Sequence, residues 1–248
     1  MPHASRTALI TGASKNIGRA CAHALAKSGC NVVVNGASDV AAAQKVAGEV
    51  RSFGVEALVA IGDVGRREDA VRIGKQAIEA FGAVDVLVNN AAIRRDASFL
   101  EMNEDEWRYT MAVNFDSAYW LSRLCLPEML TRKWGRIINF AGMNAINGYD
   151  GRRAHVCAAK HAAWGLTRAL AKEFGAAGVT VNIVSPGPTV GEDHDAAVAS
   201  HITKMAARVP GQRIGAPEQI AGIVAFLASE AASYVNGQII QVNGGAET

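Results

Sequence analysis

Aromatic residues are scarce in this chain, at 6% of 248, and its four cysteines share no CxxC or metal-ligand spacing. That spacing excludes a zinc ribbon and a dithiol redox motif. Three of Cys21, Cys30, Cys125 and Cys157 sit in or beside apolar segments, so buried free thiols are the expectation. Charge of one sign is also lacking, since 25 basic and 23 acidic residues leave a formal net charge of +2. No basic stripe interleaves with aromatics, which argues against nucleic acid as a partner. No apolar run approaches the roughly 20 residues that span a bilayer, so no membrane partner is expected. Met1 to Arg6 leads straight into a strand pattern and leaves no room for a signal peptide. The chain reads as a soluble cytoplasmic protein. Linkers and internal repeats are absent too, so residues 1–248 are expected to form a single domain.

What is abundant is glycine and alanine, a composition that suits helices packed closely on a sheet. Residues 7–20 organise the rest. Ala8 to Ile10 is an apolar run that reads as a buried strand, and from Ile17 the pattern turns helical, with Ala20, Ala24 and Leu25 on one face. Between them Gly12 and Gly18 let the backbone come close, while free N–H groups and the helix dipole point at a phosphate. Residues 31–34 supply a second strand and close a βαβ unit of the size that binds one nucleotide half. Further strands are read over 55–61, 84–88, 136–140, 179–184 and 238–242. Helices are read over 39–53, 66–81, 103–130, 153–174 and 217–228. Ser38 or Asp39 is placed to cap the first of these, and Asn103 with Glu106 the third. Residues 141–152 read as a Gly- and Asn-rich loop, and 189–210 as a polar lid. The alternation predicts a doubly wound α/β Rossmann fold, with a seven-stranded, mainly parallel sheet flanked by helices. In such sheets the ligand lies beyond the carboxyl ends of the strands, here residues 11–18, 35–38, 62–64, 89–93, 141–152 and 185–192.

The landmarks at those ends resemble the short-chain dehydrogenases/reductases, in their 3-oxoacyl-(acyl carrier protein) reductase-like branch. They include Thr11-Gly12-Ala13-Ser14-Lys15-Asn16-Ile17-Gly18, Asp63-Val64, Asn89-Asn90-Ala91-Ala92 and Val113-Asn114. They continue through Ala158-Ala159-Lys160, Ser185-Pro186-Gly187 and the tail from Tyr234 to Gly245. The resemblance implies an NAD(P)(H)-dependent oxidoreductase acting on a carbonyl or alcohol. It implies that Gly12, Ser14, Lys15, Asn16, Ile17 and Gly18 hold the pyrophosphate, and that Asp63 and Val64 take the adenine. Asn90 and Ala91 would line the ribose and nicotinamide side, with Pro186, Gly187 and Thr189 at the carboxamide. For Asp63 and Asn90 the plainer alternative is a turn that holds its own backbone. Asn35 and Gly36 stand where an NAD site wants a carboxylate, while Lys15 and Ser38 can reach a 2′-phosphate, so NADP(H) is favoured over NAD(H).

Catalysis in the family needs a tyrosine four residues before the lysine, a serine after the fifth strand, and an asparagine in the long helix. Lys160 and Asn114 are in place, but Val156 occupies the tyrosine position, and Ala141 or Gly142 that of the serine. Losing a positioned general acid typically forfeits on the order of 10²- to 10⁴-fold in rate. Tyr149 or His155 is a candidate surrogate acid, although one helical step of about 100° aims His155 elsewhere. Asn144 could point an amide at the substrate. Arg94 and Arg95 are either a solvated basic pair or a contact for an acidic substrate or carrier. Three readings follow: an oxidoreductase of altered mechanism, a redox-silent NADP(H)-binding sensor or silent subunit, and a non-redox enzyme reusing the pocket. The expected partners are a small-molecule or acyl-carrier-linked substrate and further copies in a homotetramer, or an active relative in a mixed oligomer. No metal site is expected, since Glu192 to Asp195 with His201 read as a solvated cluster.

Overall fold

The computed structural model of the protein describes residues 6–148, 151–191 and 204–246. The first apolar run forms β1 (Thr7–Ile10), followed by α1 (Asn16–Lys27), β2 (Asn31–Gly36), α2 (Val40–Arg51) and β3 (Ala57–Ile61). Next come α3 (Arg67–Phe81), β4 (Val86–Asn89), α4 (Glu104–Met111), α5 (Ser117–Arg132) and β5 (Gly135–Phe140). The described part closes with α6 (Met143–Asn147), α7 (Ala154–Phe174), β6 (Val179–Pro186), α8 (Pro217–Leu227) and β7 (Ile239–Val242). The seven strands form one parallel sheet in the order β3-β2-β1-β4-β5-β6-β7. Strand order reverses between β1 and β4, which is where such sheets open a crevice.

The strands are mostly apolar because helices cover both faces. Ala8, Ile10, Val32, Val34, Val86 and Val88 share one core with buried residues of α1, α2 and α8. Leu9, Val33 and Leu87 face the other way, into a core with residues of α3 and α5. Each of these larger side chains contributes roughly 1.5–3 kcal/mol by leaving water. Helix ends follow local chemistry. The Asp39 carboxylate accepts from the Ala42 N–H and caps α2, so Asp39, not Ser38, is the cap. Asn103 accepts from the Glu106 N–H at 2.8 Å and caps α4.

Two elements differ from the sequence reading. The helix over 103–130 is interrupted by a π-helical turn, Ala112–Asp116, between α4 and α5. The region 141–152 contains the short helix α6 and is not loop throughout. Of the lid at 189–210, residues 192–203 lie outside the described residues. Its first residues are stitched to Gly215, whose carbonyl accepts from the Val190 N–H at 2.9 Å. Cys21, Cys30 and Cys125 are buried free thiols, and burial pushes them up to about 12, 11 and 12 respectively. No helix among the described residues is long and apolar enough to cross a membrane.

Candidate functional site

A cleft of about 760 Å³ runs along the carboxyl ends of the strands. Its first wall is the turn from β1 into α1. Gly12 adopts φ +62° and Asn16 φ +50°, a left-handed conformation that asparagine tolerates better than most residues. Gly18 is closed in by backbone, so an added Cβ would lie 2.1 Å from the Gly12 carbonyl oxygen. The Asn90 amide donates to the Thr11 and Gly12 carbonyls at 2.9 and 3.1 Å, and the Thr11 hydroxyl accepts from the Asn90 and Ala91 N–H groups. Asn35, 1% exposed, ties β2 to the same turn. Its Oδ1 accepts from the Gly12 N–H at 3.1 Å, and its Nδ2 donates to the carbonyls of Ala60 and Gly62 at 2.9 and 3.1 Å. The turn is thus held open by amides that both sides of the sheet supply. It leaves no room for a side chain at 18 and holds 12 in a left-handed conformation, as a backbone cradle for pyrophosphate requires.

Ser14, Lys15, Asn16, Ile17, Asp63, Val64, Asn90, Ala91, Pro186, Gly187 and Thr189 all line this cleft with Gly12 and Gly18. Ser38 is exposed and is not among the lining residues. The Asp63 carboxylate accepts from the Gly65 N–H at 2.9 Å and from the Tyr109 hydroxyl at 2.8 Å, so it holds its own turn as well as facing the cleft. Thr189 donates its hydroxyl to the Gly187 carbonyl at 3.0 Å.

Beyond β5 the chemistry changes. Gly142 lines the cleft and Ala141 is buried, so Gly142 is the cleft-facing residue of the two. A Cβ at Gly142 would meet nothing within 4 Å. Val156 is 1% exposed and absent from the lining. Lys160 is buried as well, and its Nζ donates to the Phe140 carbonyl at 2.8 Å. Burial, helped by the nearby Arg94 charge, lowers its pKa to about 7. Asn114 sits in the π turn, where its Oδ1 accepts from the Ile93 N–H and its Nδ2 donates to the Ile93 carbonyl, both at 2.9 Å. Its side chain therefore clamps the segment after β4. His155 is fully buried and faces Glu106, 3.7 Å away, not the cleft. Burial pushes its pKa below the usual range, against the pull of Glu106. Tyr149 lies outside the described residues. Asn144 falls within α6, and its side chain lies outside what is described.

The basic pair divides. Arg95 is exposed and ion-paired with Glu106 at 3.0 Å, whereas Arg94 lines the cleft. Tyr109, Met143 and Arg153 also line the cleft, and nothing in the sequence marked them as lining residues. Helical spacing gave no sign that Tyr109 would reach Asp63, 46 residues earlier. Among the described residues no group of three or more His, Cys, Asp and Glu is placed to hold a metal, and 192–195 and 201 lie outside them.

A family model described as enoyl-(acyl carrier protein) reductase matches residues 12–247. Nodulation protein G of Azospirillum brasilense is 38% identical over 241 residues, covering 97% of each chain. The 3-oxoacyl-(acyl carrier protein) reductase of Staphylococcus epidermidis is 37% identical over 241 residues, 97% of this chain and 98% of its own. Among solved structures, a Beutenbergia cavernae protein assigned as an NAD(P)-dependent gluconate 5-dehydrogenase, with NADP bound at low occupancy, superposes with a TM-score of 0.89 at 40% identity. That match covers 98% of this chain and 97% of the other. Acetoin dehydrogenase from Salmonella typhimurium gives a TM-score of 0.89 at 32% identity, covering 97% and 95%. The sheet order, the glycine cradle at its switch point and these matches together place the chain in the short-chain dehydrogenase/reductase family of NAD(P)(H)-dependent oxidoreductases, in its 3-oxoacyl-(acyl carrier protein) reductase-like branch.

Proposed function

We propose that the protein is an NADP(H)-preferring oxidoreductase of a carbonyl or alcohol group, with proton transfer that departs from the family scheme. The observation that carries this reading is the cleft beyond β5. Gly142 presents no side chain there, and Val156, four residues before Lys160, is apolar and 1% exposed. Neither side chain can polarise or protonate a carbonyl oxygen, so the proton comes from elsewhere, with Tyr149 the candidate acid and Asn144 the candidate amide donor to the substrate that sequence spacing supplies. When bound, the nicotinamide supplies or accepts the hydride. Lys160 is the residue to hold its ribose, and Asn114, through Ile93, fixes the wall beside it.

Charge supports the nucleotide preference. Asn35 brings no carboxylate to the end of β2, and its amide is committed to Ala60 and Gly62. Lys15 is exposed on the cleft wall without a carboxylate partner among the described residues, which favours a 2′-phosphate. The relatives' names span a sugar acid, a neutral hydroxyketone and an acyl-carrier thioester, so a small-molecule or acyl-carrier-linked substrate is proposed. Assembly as a homotetramer through α4–α5 and α7, in the cytoplasm, belongs to the same reading and rests on the family likeness.

Fluorescence titration with NADPH and NADH tests it, repeated on a Val156→Tyr, Gly142→Ser double variant. The expected result is tighter binding of NADPH by the wild type and a gain of about 10²-fold or more in ketone reduction by the double variant. Binding of neither nucleotide would sink the cofactor reading. Equal turnover of a neutral ketone by wild type and double variant would sink the altered proton transfer.

A further inference from the structure

The β3 end of the cleft carries a contact that the glycine cradle does not account for. Tyr109 of α4 reaches across to the residues just past β3 and donates its hydroxyl to Asp63 Oδ2 at 2.8 Å. Asp63 Oδ1 accepts from the Gly65 N–H at 2.9 Å. The tyrosine ring is pressed onto that turn. A Cβ at Gly65 would lie 3.1 Å from Tyr109 Cε2 and 2.5 Å from Val113 Cγ2. Asp63, Val64, Tyr109 and Val113 all line the cleft.

Tyr109 is itself held in place. The Arg95 guanidinium stands over its ring, 5.3 Å from the centroid, as a cation–π contact. Glu106, also of α4, pairs with Arg95 at 3.0 Å and so fixes the cation over the ring. Burial, and next the bond to Asp63, raises the pKa of the tyrosine hydroxyl, which therefore keeps its proton and stays a donor. An ionised carboxylate has about four acceptor sites and no donor. Gly65 and Tyr109 occupy one site on each oxygen, and what remains can only accept.

In a sheet of this order a dinucleotide lies across the switch point, with its pyrophosphate on the first glycine turn and its adenosine half over β1 to β3. The purine therefore extends toward the end of β3, where it meets a carboxylate whose two oxygens are both fixed. An exocyclic amino group can donate to that carboxylate. A carbonyl oxygen in the same place would set lone pair against lone pair.

We infer that Tyr109 is a positioning residue for the nucleotide base, fixing the Asp63 carboxylate so that the cleft selects a 6-amino purine over a 6-oxo purine. Tyr109 acts through Asp63, and Arg95 with Glu106 keeps Tyr109 in place. This deepens the oxidoreductase reading and rests on it.

The test compares NADPH with its deaminated analogue, reduced nicotinamide hypoxanthine dinucleotide phosphate, which differs only at the six-membered edge of the purine. Both are titrated by fluorescence into the wild type, Tyr109→Phe and Asp63→Ala. The wild type is expected to bind NADPH about tenfold or more tightly than the analogue. Tyr109→Phe should cut that ratio to about threefold, and Asp63→Ala should bring it near one. A merely structural role for the hydroxyl would weaken both nucleotides alike and leave the ratio where it was. The assignment is overturned if the wild type binds NADPH without preferring it, or if Tyr109→Phe keeps the full ratio. It is overturned as well if Asp63→Ala keeps the preference, or if Tyr109→Phe binds neither nucleotide, since one hydroxyl would then be acting on the fold and not on the base. In each of these cases the oxidoreductase reading stands. Failure of the wild type to bind either nucleotide removes that reading too.

Discussion

At the β1–β3 end of the cleft, Asn35 and Asn90 commit their amides to backbone carbonyls of the strands and the glycine turn. At the β4–β6 end, Arg94 meets no carboxylate among the described residues, Lys160 rests on a single carbonyl, and Val156 and Gly142 offer no proton. The first end is a shape made by backbone and kept by short amides. The second is a set of charges and gaps whose meaning depends on what enters. Holding the pyrophosphate needs only the first, while placing the nicotinamide and reacting with a substrate need the second. A chain can therefore alter one end and keep the other.

The sharpest way to break the first end is Gly18→Val. Its Cβ would fall 2.1 Å from the Gly12 carbonyl oxygen and 2.7 Å from Asn90 Nδ2, so the cradle has to open. We expect NADPH affinity to fall at least a hundredfold, with a stability loss on the order of 2–3 kcal/mol, read by nucleotide titration and urea unfolding.

Lys160→Met separates the two ends through stability. The folded-state pKa is about 7, against 10.5 for an ordinary lysine. A base depressed in this way costs nothing above about pH 10.5, and its cost grows as pH falls and is complete near 7. Replacing it should stabilise the nucleotide-free protein most at pH 7. That advantage should shrink by on the order of 3 kcal/mol by pH 9.5, in urea melts at the two pH values. A difference that does not change with pH would mean that Lys160 is not held in a desolvated state.

The smallest effect is expected at Lys15, which is exposed. Lys15→Ala should weaken NADPH about fivefold and leave NADH nearly unchanged, with the gap closing in high salt. An equal loss for both nucleotides would place Lys15 on the pyrophosphate and not on a 2′-phosphate.

The first end was largely legible in the sequence, because backbone shape is written in local residue types. Gly12 and Gly18, the uninterrupted runs at Ala8–Ile10 and Val32–Val34, and the caps Asp39 and Asn103 each report a conformation within a few residues. Asn35 was read only for the charge it lacks, since its ties to Gly12, Ala60 and Gly62 cross 23 to 27 residues. At the second end such contacts are the rule. The Asn114 grip on Ile93 spans 21 residues and the Lys160 bond to the Phe140 carbonyl spans 20. Five residues of α6 are too few to show a helical period among glycines and asparagines. The π turn, Ala112–Asp116, contains no glycine or proline that would mark a break in the helix.

That turn has a further consequence, for insertions and deletions. A π turn is an α-helix with one residue added, and one residue is a rotation of about 100°. The wide turn absorbs that residue, so deleting one residue from Ala112–Asp116 would restore regular winding and leave everything downstream in phase. Rewinding the turn as α-helix with all five residues kept would instead swing Leu121, Cys125, Leu126 and Met129, now buried against the sheet, by that angle together. The wide turn thus keeps all sixteen residues of α5 in phase with the sheet, and it can be lost only together with one residue of its own.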